Sequence, residues 1–175
     1  IRLFFRLDDE ARKVGGRLLG TLGNHELMNV DKDFRYVSPK EFLEWVPPNE
    51  RTSKYTKDGY PLGYYHRLKA FQRGGNISKL YADRKKSIII IGSYVFVHGG
   101  LTPKIANLFT LQEMNDGMRN WLLGKRDRKT KEVFESLYDD DDNGIFWTRE
   151  MGDLGNWDEL KSPKLFNKTL DVLNK

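Results

Sequence analysis

The chain has 175 residues, enough for one domain with a real hydrophobic core. It contains no cysteine, which excludes disulfides, thiolate metal sites and a cysteine nucleophile. No apolar run is long enough to span a membrane and no signal-peptide pattern opens the chain, so no membrane partner is expected; the cytoplasm is the expected compartment, with a targeting peptide ahead of Ile1 as the alternative. The net charge of +5 suits attraction of an anionic substrate into a cleft.

In chain order, Phe4, Leu7, Ala11 and Val14 share one face of a predicted helix, with Asp8, Asp9, Glu10 and Arg12 opposite and Gly15-Gly16 as its stop. Leu18 to Leu22 reads as a short buried strand. A helix followed by a buried strand is half of a βαβ unit, so a further strand is expected ahead of Ile1. The strand ends in Gly23-Asn24-His25-Glu26, read as a loop in the crevice beyond the carboxyl end of a sheet strand. Ser38-Pro39-Lys40-Glu41 opens another helix, with Ser38 as N-cap and Glu41 completing a capping box, and Pro47-Pro48 ends it.

Residues 49–63 are polar and turn-rich and read as a surface loop. Tyr64 to Phe71 reads as a helix ending near Gly74-Gly75, and His66 within it as a surface or packing residue. Ser87 to Ile91 and Tyr94 to Val97 form a predicted hairpin around Gly92-Ser93. Thr102-Pro103 resembles a helix start; Leu111, Met114, Met118, Trp121 and Leu122 then recur at helical spacing as core, closed by Gly124. Thr130 to Tyr138 reads as one more helix. Asp139 to Asp142 reads as a solvated acidic turn, because adjacent carboxylates repel and lack the alternate spacing of a calcium loop. Ser162-Pro163 opens a last helix through Leu165, Phe166, Leu170 and Leu173. The basic clusters Arg84 to Lys86 and Lys125 to Lys129 contain no interleaved aromatic residues and read as solvated surface, with no nucleic-acid partner expected.

Two strand ends carry the candidate chemistry. At the first, Gly23 permits a sharp turn or a close backbone approach, Asn24 offers a neutral oxygen to a hard cation, and His25 can donate a proton near neutral pH. Alone, this tetrapeptide fits an ordinary loop with a solvated histidine equally well. The second strand ends in His98-Gly99-Gly100-Leu101, and a strand-end asparagine and a strand-end histidine could converge on one metal.

These residues resemble the calcineurin-like metallophosphoesterases, specifically the phosphoprotein phosphatases, through Gly23-Asn24-His25-Glu26 and Phe96-Val97-His98-Gly99-Gly100-Leu101. The longer stretch from Gly23 to Asn29, Phe34-Arg35-Tyr36-Val37, and Ile145 to Glu150 resemble the Shewanella-like subgroup. The likeness runs from about Leu3 to Leu173. The family's Gly-Asp-x-His-Gly and Gly-Asp-x-x-Asp-Arg-Gly motifs are absent, as is its later Gly-His motif. They are expected upstream of Ile1 and beyond Lys175, so residues 1–175 are expected to be an incomplete part of one such domain. The resemblance implies an α/β fold: part of a β-sandwich flanked by helices (α/β/β/α), with a helical cover between the motifs near the substrate groove.

It also implies hydrolysis of phosphate monoesters, of phosphoproteins or small phosphoesters, by attack of a hydroxide bridging two divalent metals about 3.5–4 Å apart. Manganese, or iron with zinc, would fit. Asn24 and His98 would be ligands of the second metal and His25 the general acid toward the leaving oxygen. Glu26 would anchor the loop, and Arg149 would contact the phosphate through its planar fork, with a structural salt bridge as the alternative. Arg35 and Tyr36 could line the groove or form a structural pair. Two neutral ligands hold a cation weakly, so the chain by itself is expected to be an inefficient enzyme. The competing expectation is a catalytically dead pseudo-phosphatase or interaction module; a nuclease is disfavoured by the His-Gly-Gly-Leu segment. Oligomeric state is not legible.

Overall fold

The computed structural model describes residues 1–51, 53–139, 143–151 and 161–173. It is a mixed α/β structure in which helices dominate and the described strands pair in twos. Helix α1 (Arg2–Lys13) leads to strand β1 (Gly20–Thr21) and helix α2 (Asn24–Val30). Helix α3 (Pro39–Leu43) and a 3₁₀ turn (Pro48–Glu50) precede α4 (Tyr64–Phe71), α5 (Asn76–Arg84) and strand β2 (Lys85–Lys86). The hairpin β3 (Ile88–Ile91) and β4 (Tyr94–Val97) is followed by α6 (Pro103–Leu108), α7 (Leu111–Leu122), α8 (Arg128–Phe134), a π-helical turn (Glu135–Asp139) and α9 (Lys161–Leu173). No described helix is long and apolar enough to cross a membrane.

β1 and β2 pair in parallel, with Gly20 opposite Lys85 and Thr21 opposite Lys86, and the Leu22 amide extends the pairing to the Lys86 carbonyl at 2.7 Å. The hairpin closes as expected, Ile91 opposite Tyr94, with Gly92 at a φ of 59°. One face of this hairpin meets the core through Ile88 and Val97. The other carries Ile91, Tyr94 and Phe96, which are 50%, 70% and 46% exposed. The core centres on α7, whose Met114, Met118, Trp121 and Leu122 are all buried, as their spacing predicts. Gly117 lets α8 come close: a Cβ there would lie 2.4 Å from the Val133 side chain.

Three expectations change. The strand expected over Leu18 to Leu22 is regular only at Gly20–Thr21, and Leu19 is exposed; β1 has β2 as its single partner among the described residues. Helix α1 forms, but turned from the expected face: Phe5 and Asp8 are buried, whereas Leu7 and Val14 are exposed. The basic cluster Arg84 to Lys86 is not simply solvated, because Arg84 and Lys85 both make ion pairs and are largely covered. A helix that periodicity did not reveal, α5, follows Gly75 and ends in Arg84, the first residue of that cluster. His66 is exposed, as expected, 3.8 Å from Glu50. Of the acidic run, Asp140 to Asp142 lie outside the described residues.

The rotation of α1 has an electrostatic cause. One Asp8 oxygen accepts bonds from Arg12 Nε and Arg84 Nη1, both at 2.8 Å; the other accepts the Leu18 backbone N–H at 3.0 Å. A buried carboxylate is tolerable only when ion pairs and hydrogen bonds replace its water. The Leu18 amide bond, with the Arg12 and Arg84 guanidiniums, holds the Asp8 carboxyl well below the usual carboxylate range against the opposing effect of burial. Its folded-state pKa lies below the unfolded value of about 3.9, so its stabilisation is fully present above that pH and is lost as pH falls through the folded value. Asp8→Asn is therefore expected to lower the melting temperature at pH 7 and to flatten the acid limb of the stability curve below about pH 4. Thermal melts from pH 2 to 7 check this, and parallel curves for the two proteins would refute it.

Candidate active site

The parallel pair β1–β2 fixes where the first motif begins. Gly23 caps α2 in an extended conformation, so Gly23-Asn24-His25-Glu26 forms the first helical turn rather than a free loop. Glu26 organises that turn. One of its oxygens accepts the Gly23 N–H at 2.9 Å, and the other accepts Lys85 Nζ, also at 2.9 Å. Lys85 donates in addition to the Thr21 carbonyl at 3.2 Å. These contacts give Glu26 the anchoring position expected of it.

Asn24 is only 7% exposed. Its Oδ1 accepts the His25 backbone N–H at 2.9 Å and lies 3.0 Å from His98 Nε2. His98 arrives from the end of β4, and Gly23 makes room for it: a Cβ at residue 23 would lie 3.1 Å from two atoms of the His98 ring. The next residue, Gly99, donates its N–H to the Ile145 carbonyl at 2.8 Å, and a Cβ at Gly99 would press on the Ile145 and Thr148 carbonyls at 3.0 Å. Both glycines thus act through close backbone approach. They draw the segment ending in Arg149 against the strand end bearing His98.

Partial burial lowers the His98 pKa; Glu26 opposes the shift, whereas Arg149, His25 and Lys85 reinforce it. The ring is accordingly neutral at pH 7, the form able to offer a nitrogen lone pair. Two donors about 2.1 Å from one cation and at right angles to each other lie about 3.0 Å apart, so the Asn24–His98 separation fits two adjacent positions of one divalent ion. Among the described residues, no group of three or more His, Cys, Asp or Glu side chains converges around such a point.

His25 is exposed, and its ring stacks on Tyr36 with centroids 5.0 Å apart and planes 3° from parallel. Its backbone is held from behind, where Asn29 Nδ2 donates to the His25 carbonyl at 2.7 Å and Arg67 Nε donates to Asn29 Oδ1 at 2.8 Å. Arg67 is buried among Phe34, Phe42, Trp45 and Phe71, the last ring 4.7 Å from its guanidinium carbon. Arg149 lines an open groove of about 580 Å³ with Arg35, Tyr36, Tyr138 and Trp147. No salt bridge of Arg149 occurs among the described residues, whereas Arg35 pairs with Asp33 at 2.6 Å. The structure therefore joins Asn24 with His98 and seats His25 and Arg149 on the same side of the fold. Lys85, Asn29 and Arg67 were missed in the sequence, because their contacts span 38 to 64 residues or depend on a partner's register.

No family model matches the chain. An uncharacterised protein of Acanthamoeba polyphaga mimivirus is 33% identical to it, over 97% of this chain and 70% of the viral protein. Shewanella-like protein phosphatase 2 of Arabidopsis thaliana is 28% identical, over 85% of this chain and 43% of the plant protein. The cold-active protein-tyrosine phosphatase of a psychrophilic Shewanella species shares the fold, with a TM-score of 0.58 and 21% identity over 98% of this chain and 45% of that one. The chain thus spans less than half the length of these two phosphatases. A strand end bearing Gly23-Asn24-His25-Glu26 beside a second bearing His98 stands on a fold held in common with the Shewanella enzyme, in a sequence related to the plant one, so the chain is similar in both fold and sequence to the Shewanella-like protein phosphatases.

Proposed function

We propose that the protein is a metal-dependent phosphatase that hydrolyses phosphate monoesters of phosphoproteins, and that residues 1–175 are part of a single phosphoesterase domain of α/β/β/α sandwich type. The observation carrying this reading is the 3.0 Å approach of Asn24 Oδ1 to His98 Nε2 across 74 residues of chain, next to His25. In this reading Asn24 and His98 hold one divalent ion of a two-metal site taking manganese, or iron with zinc. Bound metals supply Lewis acidity toward the phosphoryl oxygens and water of lowered pKa.

The chain's own groups do the rest. Arg149 binds two phosphoryl oxygens through its fork and sets the ester in the groove. Tyr36 and Trp147, which line the same space, give an aromatic wall for the side chain bearing the phosphate. His25, held in plane by Tyr36 and anchored through Asn29, gives its proton to the departing alcohol oxygen. Glu26 and Lys85 do not touch the substrate; they keep the turn carrying Asn24 and His25 in register with β2.

Hydrolysis of p-nitrophenyl phosphate with and without manganese, with bound metal assayed on the same sample, tests the reading. Manganese-dependent turnover is expected; its absence together with absence of bound metal would favour a non-enzymatic interaction module. In the active protein, His25→Ala is expected to lower kcat by about 10²- to 10⁴-fold with metal content retained. Unchanged kcat would remove His25 from its role. His98→Ala is expected to lower metal content, and full metal retention would count against it as a ligand. Gly23→Ala leaves an allowed backbone conformation but would press its Cβ on Glu26 Oε2 at 2.9 Å and on the His98 ring at 3.1 Å, so it is expected to lower metal affinity by disturbing the turn that carries Asn24 and its approach to His98; unchanged metal binding would refute the need for this close packing.

A further inference from the structure

Outside the groove, the basic cluster that the sequence presents as plain surface takes on a shape. A cleft of about 320 Å³ lies between the turn following α4 and the α7–α8 connection, lined by Asp31, Arg73, Lys125, Arg126, Lys131 and Glu135. Arg73 comes from 52 residues before Lys125 in sequence, and the backbone fixes the two together. The Gly74 N–H donates to the Leu122 carbonyl at 2.8 Å, and the Lys125 N–H turns back to the Asn120 carbonyl at 3.0 Å through Gly124 at a φ of 87°. The Arg73 guanidinium lies 5.5 Å over the Trp121 ring.

Lys131 is shared with Glu135 at 3.4 Å. The side chains of Arg73, Lys125 and Arg126 make no hydrogen bond or salt bridge among the described residues. Arg73 feels the Asp31 carboxylate and Lys125 that of Asp127, but none of the three cations is held in a salt bridge among the described residues, and their backbones set them on the walls of one cleft, an electrostatic template that a scattered basic surface lacks. The cleft neighbours the groove of Arg149 and Tyr36, with Asp31 lining both.

We infer that this cleft docks an acidic segment of the phosphoprotein substrate, with glutamate or aspartate side chains flanking the phosphorylated residue facing Arg73, Lys125 and Arg126. This rests on the phosphatase reading and assigns its substrate class. Nucleic acid fits less well. Trp121 is 3% exposed with its face stacked on Phe134 at 4.1 Å, so no ring is free for a base, and the Asp31 and Glu135 carboxylates would meet a continuous phosphate backbone. A peptide can place its carboxylates between them.

The test is fluorescence anisotropy with a labelled, unphosphorylated glutamate-rich octapeptide at low ionic strength, which reads docking without any turnover. Its failure is thereby separable from failure of the phosphatase reading, which p-nitrophenyl phosphate hydrolysis reports. Saturable binding that weakens with salt is expected. The combined variant Arg73→Gln, Lys125→Gln, Arg126→Gln, all exposed positions, is expected to weaken it about tenfold. The control Lys54→Gln, Lys57→Gln, Lys79→Gln, which removes the same charge outside the cleft, is expected to leave it in place. Asp31→Asn is expected to tighten binding about two- to threefold by removing a repulsive charge. Equal weakening by both triple variants, no effect of the first, or tighter binding of a single-stranded oligonucleotide than of the peptide would overturn the assignment.

Discussion

The Glu26 carboxylate is the constraint on which the candidate site depends. Its two oxygens serve two elements: one caps the start of α2 through the Gly23 amide, the other takes the Lys85 ammonium from β2. A carboxylate in the first turn also suits the positive end of the helix dipole. Because Lys85 reaches on to the Thr21 carbonyl, one small network locks the exit of β1, the entry of α2 and the position of β2. Asn24 and His25 are the two residues enclosed by that lock. Their placement is therefore set by the sheet rather than by a loop, and rigid elements hold a reacting group more finely than loops do.

Local chemistry made much of the fold legible. The α7 core stripe, the Gly92-Ser93 hairpin and the Pro39 helix start follow from spacing, turn preference and capping, all of which act within a few residues. Long-range pairing was not legible in the same way. Asp8 reads as the polar face of an amphipathic helix until Arg84, 76 residues on, is placed against it. The cluster Arg84 to Lys86 reads as solvated until its partners Asp8 and Glu26 are known.

The candidate site shows the same division. Asn24, His25 and His98 stand out because glycines and strand ends surround them. The chain Arg67–Asn29–His25 gives no signal in the sequence, since a buried arginine among four aromatic rings looks like any other charged residue in a polar helix. Gly23 was legible as a permissive position but not for its actual use, and Gly99 only as part of a motif. At both, the hydrogen in place of a methyl group admits a neighbouring element, the His98 ring at one and the Ile145–Thr148 backbone at the other.

The outward face of the β3–β4 hairpin has a colloidal consequence. Ile91, the last of four consecutive isoleucines, stands there beside Tyr94 and Phe96 on a strand pair with no net charge of its own. Such a surface combines high β-propensity with apolar side chains, the composition that templates intermolecular sheet growth. While this face is open to water it favours apolar cover or pairing with a further strand, and no side chain on the two strands acts as a charged gatekeeper against it. The patch thus sets an apolar demand on whatever surface meets it, remote in kind from the polar chemistry at Asn24, His25 and His98.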